Sequence, residues 1–366
     1  MRERRQIVNL WHRGGARVLV TVVRVNGSSY RQPGARLLLG EAGEYAGSIS
    51  GGCLEAEITR KAVWKVSEGA TVERYSTLFE DTEEVPFGLG CGGVIDLLME
   101  PVDTPEGEAV LAAMERSLKG QCSKVVTWLP GDGRTLRRMV LNDKGEVLFA
   151  SEGLEEKKLA CAQGLQPGEV YEGRFVEEMG VPQRLFVFGA GDDARPLVAM
   201  TAMMGWSVMV ADGRTHLARK ERFPEAEQVV ALEEGSFNHL GVCPEDAVVM
   251  MTHSYAQDRT LLAALLPVAP KYLGLLGARH RSSLLVKETS AIAGLSIQQC
   301  CERIWAPVGL DLGGDGPEAI ALAILAEAQA VCSGRFGVSR RLTPEDVAQY
   351  TSQSGATGYR PVQCAS

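Results

Sequence analysis

The sequence predicts an α/β protein in which an N-terminal α+β domain is followed by a C-terminal doubly wound parallel sheet. Two observations predict this fold class. In residues 183–335, continuous apolar runs such as RLFVFGAG and DAVVMMTH alternate with helical patterns such as RTLLAALLP. Strands of that kind are typical of a parallel sheet buried on both faces. Residues 1–120 instead read as β-branched strands interrupted by glycine-serine loops.

The chain of 366 residues is long enough for about two domains. We predict an N-terminal domain over 1–120, a strand-rich middle segment over 121–182, a Rossmann-like domain over 183–335 and a mobile, polar tail over 336–366. Within the first domain, the apolar spacing of LEAEITRKAVWKV predicts a helix from Leu54. A second helix is predicted in TPEGEAVLAAMERSLKG, with Pro105 near its first position.

Composition and charge narrow the class of protein. The net charge of −8 argues against a general nucleic-acid binder, although residues 1–36 hold eight arginines and one acid. That basic segment is either a solvated face or part of a site for a small anion. No apolar run is long enough to span a membrane, and the N-terminus lacks the features of a secretory signal. The nine cysteines form no C-x-x-C pair, which predicts reduced thiols, cytoplasmic localisation and no structural zinc site.

Two cysteines lie in glycine-rich turns of the first domain. In GSISGGCLEAEI, Cys53 follows Gly51 and Gly52 and is predicted to lie in the first turn of a helix. A thiol there ionises more readily, because the helix dipole favours an anion. Alternatively, the glycines make a tight turn and Cys53 is a small buried residue. Cys91 in GLGCGG has the same kind of setting, so the two thiols form a more informative set than either alone.

Two arginines flank a proline-glycine turn in SSYRQPGAR. Arg31 precedes Pro33 and Gly34, and Arg36 follows them. Paired guanidinium groups are suited to bidentate binding of an anion. A plain surface loop is the alternative.

A dinucleotide fingerprint opens the predicted C-terminal domain. Gly189, Gly191 and Ala194 match G-x-G-x-x-G/A directly after a strand, and Asp212 closes the next strand, where a ribose-binding acid is expected. However, Asp192 and Asp193 place two carboxylates where pyrophosphate would bind, and they could cap the helix themselves. Binding of NAD(P) or a flavin dinucleotide and a Rossmann fold without dinucleotide both remain open.

Further candidates follow the later strands of this domain. His253 and Arg279 come directly after apolar runs, and ligands bind at such strand ends in parallel sheets. His253 could serve as a base, a ligand contact or a partner of a helix cap. In DLGGDGPEAI, the spacing of Asp315 and Glu318 predicts a capping box before a helix. The preceding Gly313 and Gly314 would allow close approach of the backbone to a ligand.

Several of these segments together resemble one family. GSSYRQPGARLLL, SISGGCLEAEI and FGLGCGGVIDLL resemble the N-terminal motifs of the XdhC/CoxI family, the xanthine dehydrogenase accessory proteins. LFVFGAGDDARPLV, VADGR, MTHSYAQD, LGLLGARHR and APVGLDLGGDGPEAIALAILAE resemble the Rossmann domain of that family. The motifs occur in the same order over most of the chain, excluding the middle segment and the tail.

The resemblance implies a cytoplasmic maturation factor for molybdenum hydroxylases such as xanthine dehydrogenase. Such a factor binds molybdenum cofactor, allows its sulfuration with a cysteine desulfurase and delivers it to the apo-enzyme. These proteins are not known for turnover of their own. The family motif positions in this sequence are Ser28, Ser29, Arg31, Pro33, Gly34, Gly51, Gly52, Cys53, Glu55, Cys91, Gly189, Gly191, Asp192, Pro196, Asp212, His253, Arg279, Gly314, Asp315 and Glu318.

Sixteen residues are the candidate cofactor-binding residues: Ser28, Ser29, Arg31, Arg36, Gly52, Cys53, Glu55, Cys91, Gly189, Gly191, Asp192, Asp212, His253, Arg279, Gly314 and Asp315. Cys53 and Cys91 are the candidate metal ligands, because thiolates suit a sulfur-ligated metal. We expect the metal near these thiols and the pterin and phosphate near Gly191, Asp212 and Gly314. An NAD(P)-dependent oxidoreductase is the alternative function, and we predict a homodimer in either case.

Overall fold

The computed structural model describes residues 1–27, 29–52, 54–76, 93–131, 134–154, 170–171, 173–232, 240–336 and 344–345. Contacts divide the chain into two compact units, Glu3–Val181 and Pro182–Arg340. The boundaries predicted at residues 120 and 335 stay predictions. None of the helices described is long and apolar enough to cross a membrane.

The first unit contains an antiparallel sheet with the order β3-β2-β1-β5-β4. Its strands are β1 (Ala16–Gly27), β2 (Arg36–Gly40), β3 (Tyr45–Gly47), β4 (Thr71–Ser76) and β5 (Gly93–Pro101), and its helices are α1 (Arg2–His12) and α2 (Glu55–Lys65). The spacing that predicts α2 is confirmed, because Leu54, Ile58, Ala62 and Val66 are buried in one cluster with the strands. The helix begins at Glu55 with Leu54 as its N-cap, so the predicted start at Leu54 is one residue too early. Position 53, which lies outside the described residues, therefore precedes the helix, and the prediction that Cys53 lies in the first helical turn is wrong.

A second antiparallel sheet in this unit has the order β8-β7-β6-β10-β9. Its strands are β6 (Ser123–Trp128), β7 (Arg137–Asn142), β8 (Val147–Ala150), β9 (Val170–Tyr171) and β10 (Arg174–Met179). Helix α3 (Pro105–Leu118) begins as predicted, with Pro105 in its first turn and the Thr104 side chain accepting from the Gly107 amide. The helix packs on this sheet through Val110 and Met114.

A buried ion pair between β7 and β5 links the two sheets of the first unit. The Arg138 guanidinium on β7 donates to both carboxylate oxygens of Glu100 on β5, at 2.7 and 3.0 Å. Both side chains are almost completely buried. The strands of the predicted middle segment are therefore tied to residues of the predicted N-terminal domain.

The second unit is a parallel five-stranded sheet with the order β13-β12-β11-β14-β15. The strands are β11 (Arg184–Phe188), β12 (Ser207–Asp212), β13 (Gln228–Ala231), β14 (Ala247–Met250) and β15 (Tyr272–Leu275). The helices are α4 (Ala194–Met203), α5 (Tyr255–Val268), α6 (Arg279–Ala293), α7 (Ile297–Arg303) and α8 (Pro317–Cys332), with a short 3₁₀ turn at Lys220–Arg222.

Alternate residues of these strands pack on opposite faces of the sheet. Val187 and Val249 lie in a cluster with residues of α4 and α8, whereas Phe188 and Met250 lie in a cluster with residues of α5 and α6. The predicted doubly wound Rossmann-like sheet is confirmed. The first strand, β11, is central, so the chain reverses direction across the sheet between β11 and β14, where open sheets of this kind bind ligands.

Two predicted helix caps are not formed. Helix α8 begins at Pro317 with Gly316 as its N-cap, so Asp315 and Glu318 form no capping box. The proline sets the register: it occupies the first helical position, and the cap therefore falls on a glycine that has no side chain. At α4, Asp193 occupies the N-cap position, but its side chain accepts no capping hydrogen bond.

Candidate functional site

Three sequence motifs of the first unit adjoin one end of its first sheet. The loop that contains SSYRQPG joins the end of β1 to the start of β2, and the SISGGC segment follows the end of β3, where Gly47 pairs with Leu37. Strand β5 begins at Gly93, opposite Gly27 at the end of β1. Ser28, Cys53 and Cys91 themselves lie outside the described residues.

Two of these loops touch. Tyr30 is 72% exposed, and its ring covers Gly51 so closely that an added β-carbon at Gly51 would lie 3.0 Å from it. Ser29, just before Tyr30, is partly exposed. The structure thus brings together the SSYRQPG and SISGG segments, which the sequence did not show to be neighbours.

The carboxylate of Glu55 lies at the centre of the second loop. It accepts hydrogen bonds from the amides of Ile49, Ser50 and Gly52 at 2.9–3.0 Å, and from the hydroxyls of Ser48 and Ser50. Burial raises the pKa of Glu55, but the hydrogen bonds from Ser50, Ser48 and Ile49 outweigh this effect and lower the pKa to about 2. The backbone donors of this glycine-rich loop are therefore bonded to a side chain of the protein itself.

Both arginines of the SSYRQPGAR motif are paired with carboxylates. Arg36, 5% exposed, donates to Glu177 and to the carbonyl oxygen of Gly34. Arg31 donates to Glu3. Arg36 begins a buried strand, and a buried charge requires a partner. Each of the two guanidinium groups is thus paired with a different carboxylate of the chain.

Arg4, another arginine of the basic segment, lies in none of the motifs of the sequence. Its guanidinium donates to the carbonyl oxygen of Gly180 at 2.7 Å and to Ser117, and it forms no ion pair with any described residue. Burial and the nearby charge of Arg36 lower the pKa of Arg4 to about 10. Arg4 and Arg36 line a pocket of about 360 Å³ that also includes Glu177. Position within the basic segment was the only sequence signal.

In the second unit, the glycine loop after β11 crosses the ends of two other strands. A β-carbon added at Gly189 would lie 2.2 Å from the carbonyl oxygen of Met251, which follows β14, and the φ angle of Gly189 is +130°. The next amide, that of Ala190, donates at 2.6 Å to Asp212 at the end of β12. The loop therefore needs glycine at its first position to lie against β14.

Asp212 is fully engaged inside this unit. Besides the Ala190 amide, its carboxylate accepts from the amide of Arg214 at 2.8 Å and from the Arg214 guanidinium at 2.8 and 3.1 Å. Burial opposes ionisation, but the bonds from Arg214 and Ala190 prevail and lower the pKa of Asp212. A carboxylate saturated in this way is not available to the hydroxyl groups of a ribose.

Asp193 and His253 cover the second glycine of the loop. His253 Nε2 lies 2.8 Å from Asp193 Oδ2, and a β-carbon at Gly191 would lie 2.3 Å from the other carboxylate oxygen. Asp192 projects from the loop and pairs with Arg222 at 3.0 Å. A pyrophosphate at the start of α4 would meet the Asp193 carboxylate. The like charges would repel each other.

The turn that contains His253 is stabilised by hydrogen bonds to the buried carboxylate of Asp258. Asp258, almost fully buried, accepts from Thr252 Oγ1 at 2.7 Å and from Arg281 at 2.7 Å. His253 itself has a φ of +60°, a conformation that is uncommon for a residue with a side chain. The sequence pattern indicated Arg279 in the ARHR segment, whereas Arg281 makes the contact with Asp258 that supports the turn.

The remaining candidates of the second unit are exposed. Arg279 begins α6 directly beyond the end of β15, and Asp315 lies in the loop before α8. Gly313 and Gly314 both have positive φ angles, and a β-carbon at Gly314 would lie 2.8 Å from Ala319. No hydrogen bond or ion pair between described residues joins Arg279 or Asp315 to the glycine loop. Among the residues that the structure describes, no cluster of three or more His, Cys, Asp or Glu side chains is placed to hold a metal ion.

The fold and the glycine loop after β11 define a class of protein. It is an α/β protein with a Rossmann-like unit in which the side chains of Asp193 and His253 lie at the position where a dinucleotide phosphate would bind. Family models identify it further. The model of the XdhC and CoxI family matches residues 10–76, and that of the XdhC Rossmann domain matches residues 185–328. The chain belongs to the XdhC/CoxI family, as its motifs indicate.

Three similar proteins cover most of the chain. A probable xanthine dehydrogenase subunit of Bacillus subtilis is 28% identical over 323 residues, which is 85% of this chain and 91% of that protein. The molybdenum cofactor insertion chaperone PaoD of Escherichia coli is 24% identical over 87% of this chain and 84% of its own length. A crystal structure described as a xanthine dehydrogenase from Bacillus halodurans is 28% identical, with a TM-score of 0.79, and covers 94% of this chain and 99% of its own.

Proposed function

We propose that this protein binds molybdenum cofactor and supports its sulfuration and insertion into a molybdenum hydroxylase of the xanthine dehydrogenase type. One observation carries the proposal: the similarity to the insertion chaperone of E. coli extends over 87% of the chain and includes both units. In this proposal the cofactor is cargo, and the protein holds it and releases it without turnover.

The cargo is an anionic pterin with a phosphate group and a metal bound by dithiolene sulfurs. A soft, sulfur-ligated metal is suited to thiolates, and Cys53 and Cys91 are the thiols nearest in sequence to the motif end of the first sheet. The exposed ring of Tyr30 at the same end offers a flat apolar surface to a pterin. These features support a place for the metal at the first unit. For the pterin, the exposed ring of Tyr30 favours the first unit over the position near Gly191 that the sequence analysis expects.

The second unit offers donors for the anionic part of the cargo. The amides of Gly191, Asp192 and Asp193 at the start of α4 have no acceptor among the described residues, and Arg279 is exposed at the end of β15. Helix starts favour anions. For these amides to receive a phosphate, the Asp193 side chain must turn away from Gly191, so binding of the phosphate has to displace the contact with His253.

A dinucleotide is poorly matched to the same loop. Asp212, the expected ribose partner, already accepts four hydrogen bonds from Ala190 and Arg214 and is not available to ribose hydroxyls. The proteins similar to this chain over most of its length are described as xanthine dehydrogenase components or as a cofactor chaperone. The geometry and the relatives therefore do not favour the NAD(P)- or flavin-dependent alternative.

The partners in this proposal are an apo-hydroxylase, which receives the cofactor, and a cysteine desulfurase, which supplies sulfur. We further propose a cytoplasmic homodimer. The reduced thiols suggested by the cysteine pattern favour the cytoplasm, and the prevalence of two-fold oligomers favours the dimer. Light scattering of the purified protein at micromolar concentration tests the dimer, and a monomer alone would contradict it.

The decisive experiment is a set of parallel titrations of the purified protein. Isolated molybdenum cofactor, NADH and NADPH are added separately, and the loaded protein is then mixed with apo-hydroxylase. We expect binding of the cofactor and activation of the hydroxylase, with no comparable binding of either nicotinamide. Micromolar binding of NADH or NADPH without any binding of the cofactor would reverse the proposal.

A further inference from the structure

Glu55 is the first residue of α2 and is only 5% exposed. One carboxylate oxygen accepts from the Ser48 hydroxyl at 2.8 Å and from the amides of Ile49 and Ser50 at 3.0 Å each. The other oxygen accepts from the Gly52 amide at 2.9 Å and from the Ser50 hydroxyl. A carboxylate has about four lone-pair sites, so five donors saturate it.

The two serines extend this arrangement to the rest of the loop. The Ser48 hydroxyl accepts from the Gly51 amide at 3.1 Å, and the Ser50 hydroxyl accepts from the Leu54 amide at 2.9 Å. Every amide from Ile49 to Gly52 is therefore bonded to Glu55 or to a serine that Glu55 holds. Positive φ angles at Gly51 and Gly52, +85° and +120°, allow the backbone to wrap around the carboxylate.

This arrangement leaves Glu55 unable to act as a ligand contact. Its oxygens have no remaining capacity, and the residue is almost fully buried. The loop instead presents Tyr30, whose ring lies over Gly51. A loop that is already ordered before binding avoids the entropy cost of ordering it around a ligand.

We infer that Glu55 is a positioning residue: its carboxylate preforms the Ser48–Gly52 loop for the molybdenum cofactor and does not touch the cofactor. The inference rests on the proposed function for the identity of the ligand. It changes the role expected from the family resemblance, in which Glu55 is a candidate cofactor contact.

The test uses Glu55→Gln in the full chain, with Glu57→Gln as the matched control. Glutamine keeps the size of the side chain but replaces one acceptor oxygen with an NH2 group, which would face amide donors. Glu57 is an equally buried carboxylate two residues further along the same helix, but its ion pair with Lys61 at 2.7 Å lies on the helix and not on the loop.

Three quantities are measured for each variant after circular dichroism has shown that it folds. These are amide hydrogen exchange of the 48–54 segment, affinity for isolated molybdenum cofactor, and activation of apo-hydroxylase by cofactor-saturated protein. For Glu55→Gln we expect about tenfold faster exchange in the segment and a several-fold loss of affinity, with activation at saturation unchanged. The Glu57→Gln variant should match the parent in all three.

A direct contact predicts a different pattern, namely a loss of affinity while exchange in the loop stays at the parent rate. That pattern overturns the inference, and so does unchanged exchange with unchanged affinity. If Glu55→Gln does not fold, Ser50→Ala replaces it, because this change removes one donor to Glu55 and the acceptor of the Leu54 amide. It should change exchange and affinity in the same direction by a smaller factor, and parent-like values for both would overturn the inference.

The same measurements separate this inference from the proposed function. A parent protein that binds no molybdenum cofactor refutes the proposed function and, with it, the ligand assigned to the loop. Exchange of the 48–54 segment in Glu55→Gln would still decide whether the carboxylate holds the loop. Faster exchange confirms that it does, and parent-like exchange refutes it.

Discussion

Each unit of this protein folds a glycine-rich loop around one of its own carboxylates, but the partners of the two carboxylates differ. In the first unit, Glu55 is held by amides and hydroxyls of the loop itself, and no cation among the residues that the structure describes pairs with it. In the second unit, Asp212 receives one loop amide, from Ala190, and is otherwise held by Arg214.

The difference decides what each loop depends on. At Glu55, several loop donors share one acceptor, so the conformation of the whole loop depends on the negative charge. At Asp212, a cation carries most of the interaction, and the position of the loop is set mainly by the close contact of Gly189 with Met251. Glycines in similar sequence motifs thus have different roles. Gly51 and Gly52 let the loop backbone wrap around Glu55, whereas Gly189 lets the loop pack closely against Met251.

The largest expected effect is that of Gly189→Ala. The new β-carbon would lie 2.2 Å from a backbone oxygen of Met251, which has little freedom to move, at a φ of +130°. We expect a loss of unfolding free energy of about 3 kcal/mol or more, measured by urea denaturation. Gly313→Ala is the control, because Gly313 also has a positive φ, +76°, but an added β-carbon there would have no neighbouring atom within 4 Å. For this variant we expect a loss of unfolding free energy of about 1 kcal/mol. Equal losses would show that the close contact with β14 is unimportant.

The next largest effect distinguishes the two carboxylates. Glu55→Gln should destabilise the protein by roughly 2–3 kcal/mol, because loop amides lose a charged acceptor and meet an NH2 group. Asp212→Asn should cost about 1 kcal/mol, since its remaining oxygen can still accept from Ala190 and the exposed side of Arg214 can be hydrated. Urea unfolding of both variants at neutral pH measures the order, and the reverse order would contradict the comparison.

A pH series isolates the charge of Glu55. Because the pKa is about 2 in the folded protein and 4.5 ordinarily, the stability that Glu55 contributes is complete above about pH 5 and declines as the pH falls towards 2. The difference in unfolding free energy between the parent and Glu55→Gln should therefore shrink over that range. A difference that stays constant down to about pH 2.5 would mean that the loop does not depend on the charge.

The smallest expected effect concerns thiols and leaves stability unchanged. Burial raises the pKa of Cys300 and Cys332, and burial together with Asp246 raises that of Cys243. We expect Cys53 to react with iodoacetamide at neutral pH about tenfold faster than these three, as followed by mass spectrometry. Equal or slower labelling of Cys53 would remove the argument that its thiol is activated.

Local patterns predicted much of the architecture. The spacing of Leu54, Ile58, Ala62 and Val66 predicted α2, and Pro105 marked the start of α3. Such features depend on residues within a few positions of one another. The capping box at Asp315 failed although its spacing was correct, because the neighbouring proline and glycine set a different helix start.

The candidate site was predicted less completely than the fold. The sequence singled out the loops, since glycines next to polar residues are visible in one dimension. It did not show that Glu55 and Asp212 would each turn toward a loop of the same chain. Nor did it indicate Arg4 or Arg281, because neither lies in a glycine-rich turn.

The sequence by itself determined the type and order of the strands and of four of the five α-helices described in the second unit, because a parallel sheet buried on both faces requires continuous apolar strands separated by helices. The short helix α7 was not predicted. Only the tertiary structure decided which charged groups meet. Arg36 pairs with Glu177, which is 141 residues away, and Arg138 pairs with Glu100, which is 38 residues away. These pairings depend on which strands are neighbours and on which charged side chains become buried and so need a partner other than water. A single sequence carries no local signal for either.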